Sequence, residues 1–123
     1  MSYHWNDSQP IYLQLADQIK NMILNDDVPA GESLPSVRQL AVDYQVNPIT
    51  VSKSYQILVD EDLIVKKRGL GMFVSNSAKE ILQQHQRRDF INNQWPQVVN
   101  KIEQLDIDTN TLIESLEKIG SKS

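Results

Sequence analysis

The sequence predicts a mainly α-helical protein with a small β wing: a winged helix-turn-helix domain in residues 1–76, followed by a short α-helical tail in residues 77–123. Three observations predict this fold class. Apolar residues recur at helical spacing in three successive segments, the second and third segments are separated by only three residues, and a glycine-rich hairpin follows them. The length allows one domain with an appendage.

The first helix is predicted to begin at Pro10, because proline is favoured at a helix start. Its apolar stripe consists of Ile11, Leu15, Ile19 and Met22. A run of Asn and Asp residues ends this helix, and a turn containing proline and glycine follows it.

The second helix is short and begins after Ser36, a good N-cap with a glutamine three residues on that can close a capping box. The third helix has Asn47 as its cap and Pro48 at its first position, and it extends to about Glu61. A helical projection gives it an apolar inner face and a mostly polar outer face.

The wing is predicted as two short strands, residues 63–67 and 72–75. The residues Arg-Gly-Leu-Gly between them indicate a hairpin turn. Three helices followed by such a hairpin are typical of a winged helix.

The tail contains an apolar row at helical spacing, formed by Ile91, Trp95, Val98, Ile102 and Leu105. The tail is too short to cover this row, so we expect it to form a dimer interface anchored by tryptophan. Alternatively, this tryptophan packs into the core of its own chain. Pro96 lies within the row, and the helix either kinks or restarts there. Asp108 caps a last helix.

Charge and composition exclude several function classes. The net charge is −4, but residues 36–75 carry five basic and four acidic residues and are the only part without an acidic excess. The chain has no cysteine, its two histidines lie alone, and no nucleophile–base set or phosphate loop is visible. We therefore expect no enzyme activity, no metal and no cofactor. With no signal peptide and no long apolar run, we expect a cytoplasmic protein without membrane contact.

A three-residue turn between two helices is the core of a helix-turn-helix unit, whose second helix enters the major groove of double-stranded DNA. Six residues of the third helix and its cap are candidates for reading bases: Asn47, Ile49, Thr50, Ser52, Lys53 and Gln56. Arg38 is expected to pair with a phosphate, with a salt bridge to Asp43 as the alternative. The wing candidates, for phosphate or minor-groove contact, are Lys66, Lys67, Arg68 and Gly69.

Three stretches in order resemble the GntR family of bacterial regulators. Residues 29–41 resemble its first signature, residues 46–58 its recognition helix and residues 68–74 its wing. The opening residues 9–15 and the short tail are similar to the YtrA-like subfamily. The resemblance implies a homodimer that binds a palindromic operator, usually as a repressor. It also implies DNA contacts by Arg38, Asn47, Thr50, Lys53, Arg68 and Gly69.

The sequence departs from the family pattern at three positions. Gln45 and Asp62 stand where the family usually has glycine, and we expect both to adopt a positive φ. Ile49 stands where a polar residue is common, which alters the expected base preference.

Two hypotheses for function follow. The first is a homodimeric, sequence-specific DNA-binding transcriptional regulator, with a small-molecule effector that changes the spacing of its two recognition helices. The alternative is a winged helix that binds another protein, which the acidic net charge favours.

Overall fold

A computed structural model of the chain describes residues 4–120. Its helices are α1 (Ile11–Leu24), α2 (Val37–Tyr44), α3 (Pro48–Asp60), α4 (Ala78–Asp89), α5 (Trp95–Gln104) and α6 (Thr109–Gly120), with a π-helical segment at Phe90–Gln94. Its strands are β1 (Ile64–Lys67) and β2 (Gly71–Val74). Three helices followed by a two-stranded hairpin confirm the predicted winged helix-turn-helix. The structure forms two compact units, with the division between His85 and Gln86.

Local hydrogen bonds explain where α2 and α3 begin. The hydroxyl of Ser36 accepts a hydrogen bond of 3.0 Å from the backbone N–H of Gln39. The side chain of Gln39 donates to Asp43 at 2.7 Å, so only the serine half of the predicted capping box forms. Asn47 caps α3 by accepting from the N–H of Ile49 at 2.9 Å. These side chains satisfy backbone donors that have no partner inside the helix.

Two residues in turns have the positive φ that the sequence predicted. Gln45 has a φ of 56° at the end of α2, and Asp62 has a φ of 62° after α3. The left-handed conformation at Gln45 turns the chain sharply enough for three residues to connect α2 to α3. A side chain with a Cβ atom makes this conformation costly, by about 1–2 kcal/mol for an ordinary L-residue.

The wing is hydrogen-bonded to the helical core through β2. β1 and β2 pair antiparallel with Ile64 opposite Val74, and the strands lie within one residue of their predicted bounds. On the other edge of β2, the N–H of Gly31 donates to Val74 and the N–H of Leu34 donates to Met72, both at 2.8 Å. Because β2 is bonded on both edges, the base of the wing is held in place.

The core of the first unit is formed by residues from all three helices and the strands. Tyr55, Leu15 and Leu58 are among its largest fully buried side chains. Two α4 residues, Ala78 and Leu82, are also buried in this core. The predicted domain division after residue 76 stays a prediction. The first turns of α4 pack with the residues before it.

The second unit contains the remaining helices. The backbone is helical at Asp89 (φ −61°, ψ −43°) and at Trp95 (φ −59°, ψ −44°), so the chain does not restart a helix at Pro96. Instead, the π-helical segment Phe90–Gln94 precedes this proline. The wider π turn accommodates the missing N–H and the bulk of the proline ring.

Candidate nucleic-acid interface

α3 has two faces of opposite character. Its inner residues Val51, Ser54, Tyr55 and Leu58 are buried. The predicted base-reading residues lie on the other side, where Asn47, Ile49, Ser52, Lys53 and Gln56 are exposed and Thr50 is half-buried. An exposed helix face of this composition can donate and accept hydrogen bonds at the edges of bases.

Contacts with neighbouring groups orient three of these residues. The Nζ atom of Lys53 lies 5.6 Å from the ring centroid of Tyr12 in α1, a cation–π contact. The side-chain amide of Gln56 donates to Asp60 at 2.8 Å. The side-chain oxygen of Asn47 is used in capping α3, which leaves its NH₂ group to face a ligand.

The hydroxyl of Tyr55 holds α3 against the segment that precedes α2. It donates a hydrogen bond of 2.5 Å to the carbonyl of Pro35. Burial raises the pKa of Tyr55 well above its usual value, so this hydroxyl stays protonated and keeps donating. Tyr55 is therefore a core residue rather than a base-stacking group.

Arg38 is exposed in the first turn of α2. The salt bridge to Asp43 that the sequence allowed as an alternative does not form: Asp43 accepts from Gln39 instead. Within the described range 4–120, Arg38 makes no ion pair. Its guanidinium group is therefore available to an anion outside the chain.

The tip of the wing is basic, narrow and exposed. Lys66, Lys67 and Arg68 are exposed, and the Nζ atom of Lys67 lies 4.4 Å from the ring centroid of Phe73. Gly69 has a φ of 77°, which an L side chain rarely adopts. The backbone at the tip can therefore approach another surface closely.

A groove of about 520 Å³ lies between α3, the wing and the start of α2. It brings together five of the predicted residues: Ser52, Gln56, Lys66, Lys67 and Gly69. The other six predicted DNA-binding residues, Arg38, Asn47, Ile49, Thr50, Lys53 and Arg68, are not among its lining residues.

Several lining residues were not predicted from the sequence, among them Ser33, Ser36 and Leu70. Two of these could have been suspected, because Ser36 caps the helix that supports α3 and Leu70 is an apolar residue between two turn glycines.

The chemistry of the groove suits a polyanion. None of its lining residues is acidic, two of them carry ammonium groups, and three are serines. Phosphate groups bind such a surface through charge and hydroxyl hydrogen bonds. No cluster of three or more His, Asp or Glu residues that could hold a metal ion occurs in the described part of the chain. Likewise, none of the helices within residues 4–120 has the length and hydropathy needed to cross a membrane.

The family model described as "Bacterial regulatory proteins, gntR family" matches residues 11–74, from the start of α1 to the end of the wing. The chain belongs to this family. The three stretches that resemble GntR regulators, residues 29–41, 46–58 and 68–74, all lie within the matched range. The GntR winged helix is thus the part of the molecule that carries the exposed face of α3 and the groove.

Relatives and solved structures agree with this assignment. The HTH-type transcriptional repressor YtrA of Bacillus subtilis (strain 168) is 36% identical over 112 residues, which cover 91% of this chain and 80% of YtrA. The uncharacterized HTH-type transcriptional regulator YhcF of the same organism is 35% identical over 79 residues, 64% of this chain and just under two thirds (65%) of YhcF. A GntR family transcriptional regulator from Listeria monocytogenes has a TM-score of 0.72 at 28% identity, covering 93% of this chain and 98% of that one.

GntR regulators control transcription by binding DNA, and the similar proteins are regulators rather than enzymes. The chain is a DNA-binding transcriptional regulator. The DNA-binding regulator of the first hypothesis is therefore supported over the protein-binding alternative.

Proposed function

We propose that this protein is a transcriptional repressor that binds a palindromic operator as a homodimer, with the outer face of α3 in the major groove. The observation that carries the proposal is the exposed face of α3 beside a groove with two lysines and no acidic lining residue. YtrA of Bacillus subtilis, a transcriptional repressor that is 36% identical to this chain, supports the repressing direction.

In this proposal the residues of α3 read bases. Ser52, Thr50 and Gln56 bond base edges, Lys53 bonds a guanine edge, and the NH₂ group of Asn47 adds a donor at the helix start. Ile49 is 65% exposed, which is costly in water, and contact with a thymine methyl group would cover it.

The remaining cations position the protein on the sugar–phosphate backbone. Arg38 projects from the first turn of α2 and pairs with a phosphate in a bidentate geometry. Lys66, Lys67 and Arg68 contact phosphates beside the minor groove, where Gly69 allows close approach.

The homodimer is proposed from the apolar surface of the second unit. None of the residues described in α5 and α6 is buried, although both helices carry apolar stripes. The predicted row includes Ile91 (54% exposed), Trp95 (38%), Val98 (40%) and Leu105 (60%), with Ile102 half-buried. Exposed apolar residues in such a row are typical of an interaction site, and in this proposal a second copy of the same row covers them. Binding of both protomers to successive half-sites requires their α3 helices to lie about 34 Å apart, one DNA turn.

A small-molecule effector that binds the tail would regulate this dimer. A change of a few Å in the spacing of the two α3 helices prevents both from engaging DNA at once. Isothermal titration of candidate effectors in the presence and absence of operator tests this regulation. Because the coupling is reciprocal, the affinity of the protein for an effector must change when DNA is bound.

DNA binding by the full chain is tested with the intergenic duplex upstream of its own gene, against a scrambled duplex of equal length. Fluorescence anisotropy at 50 and 200 mM salt should show specific binding whose affinity falls steeply as salt rises. Equal affinity for both duplexes, or no dependence on salt, would contradict the proposed interface.

A further inference from the structure

We propose that Leu70 is a specificity-determining residue: its side chain enters the DNA minor groove at the wing and disfavours G·C base pairs there. This inference rests on the proposed function, because it requires the wing to lie on DNA. It goes further by assigning a base preference to a single side chain that does not belong to α3.

The exposure of Leu70 is the first observation. At 72%, it is the most exposed large hydrophobic side chain among the described residues. Its backbone N–H donates to the carbonyl of Lys67 at 2.9 Å, which keeps the residue within the tight turn of the wing. Turn positions usually carry Gly, Asn, Asp or Ser, so a leucine exposed here is free to contact another surface.

The shape of the tip is the second observation. The glycines on both sides of Leu70 have φ values of 77° and 110°. Apart from each glycine and its two chain neighbours, no heavy atom lies within 4 Å of the position that a Cβ atom would take. Leu70 therefore projects from a thin strip of backbone, which suits a cleft only about 6 Å wide such as the minor groove.

Charge favours DNA over a protein as the occupant of this tip. Lys66 and Lys67 end β1 and Arg68 opens the turn, and none of the three makes an ion pair within residues 4–120. A narrow A·T-rich minor groove has a strongly negative potential that attracts such residues. A single leucine among cations is also a poor match for a protein partner, which would require a broader apolar patch.

The chemistry of leucine then determines the base preference. In the minor groove, A·T pairs present only acceptors, whereas G·C adds the N2 amino donor of guanine. A leucine side chain cannot accept a hydrogen bond, so it would remove this amino group from water without replacing its partner. Apolar side chains of this kind are used by other proteins as wedges in the minor groove.

The experiment uses the full chain and a duplex selected by repeated binding from a random-sequence pool. Each base pair is replaced in turn by G·C and by hypoxanthine·C, which presents the same major-groove edge but lacks the N2 amino group. Under the wing we expect G·C to weaken binding by about tenfold, the size of a typical mismatch, and hypoxanthine·C to restore it to within about twofold. At pairs read through the major groove, the two replacements should behave alike.

Two variants of similar size separate this role from general binding. Leu70→Asn supplies a carbonyl that accepts from guanine, and the G·C penalty should fall below about threefold. Leu70→Met keeps an apolar side chain and should keep the penalty. Because Leu70 is exposed, both variants should retain the thermal unfolding profile of the wild type, measured by circular dichroism.

The outcomes distinguish this inference from the proposed function. If the pool yields no bound duplex, the proposed function fails and Leu70 loses its role with it. If a duplex is selected but no position shows a G·C penalty that hypoxanthine·C relieves, the inference alone is overturned. It is equally overturned if Leu70→Asn keeps the full penalty.

Discussion

Replacing Arg68 by alanine tests the docking geometry, and its effect can be worked out from the structure. Each protomer exposes four cations that are assigned to phosphate groups: Arg38, Lys66, Lys67 and Arg68. A dimer then has about eight phosphate contacts, for which log K should fall with log salt at a slope of about −7. Arg68→Ala removes one cation from each wing, so we expect the slope to become shallower by about 2.

The assay is fluorescence anisotropy on one specific duplex at four or more salt concentrations. Between 50 and 200 mM salt, the variant should lose about tenfold less affinity than the wild type. Arg87→Ala is the matched control, because Arg87 is an exposed cation of the second unit with no assigned DNA contact, and its slope should equal that of the wild type. If Arg68→Ala changes the salt slope by only about 1, a single wing of the dimer contacts phosphate. If the slope does not change, the placement of the wing on phosphate is refuted.

Three further predictions concern base reading, assembly and stability. Ser52→Ala should change preference at particular base pairs while leaving the salt slope unchanged, as measured by competition among single-pair variants of the duplex; a uniform loss for all sequences would contradict base contact. Trp95→Asp should yield monomers in light scattering and weaken operator binding, whereas the wing variant Val65→Asp should stay dimeric. Tyr55→Phe should lower the free energy of unfolding in urea by about 1 kcal/mol, because the Pro35 carbonyl loses its donor; unchanged stability would show that this bond contributes nothing.

Gln45 illustrates what local sequence can and cannot predict. The resemblance to the family places Gln45 where glycine is usual, which predicted a positive φ without any tertiary contact, and the structure has φ 56° there. The side chain of Gln39 shows the opposite case. A capping box needs the side-chain carbonyl of Gln39 to accept from the N–H of Ser36, but the NH₂ group of Gln39 donates to Asp43, one helical turn away, and directs the side chain there.

The tail was harder to predict than the winged helix. Its apolar row was visible from spacing alone, and the structure leaves that row exposed within one chain. The dimer therefore remains a prediction, which rests on the sequence pattern and on the exposure of these side chains. The π-helical segment before Pro96 was not predicted, because the sequence offered only a kink or a restart. Proline specifies that a helix must adjust, whereas the surrounding turns decide how the adjustment is made.

The amino-acid sequence by itself determined where the helices begin, which face of α3 is apolar and where the chain turns. These features depend on residues within a few positions of one another, through caps, glycines and the 3.6-residue repeat. Tertiary structure alone decided that the strip Gly31–Leu34 bonds to β2, that Tyr55 reaches Pro35 and that Lys53 lies over Tyr12. Those contacts join residues far apart in the chain, so they exist only after the core packs, and the groove between α3 and the wing exists because of them.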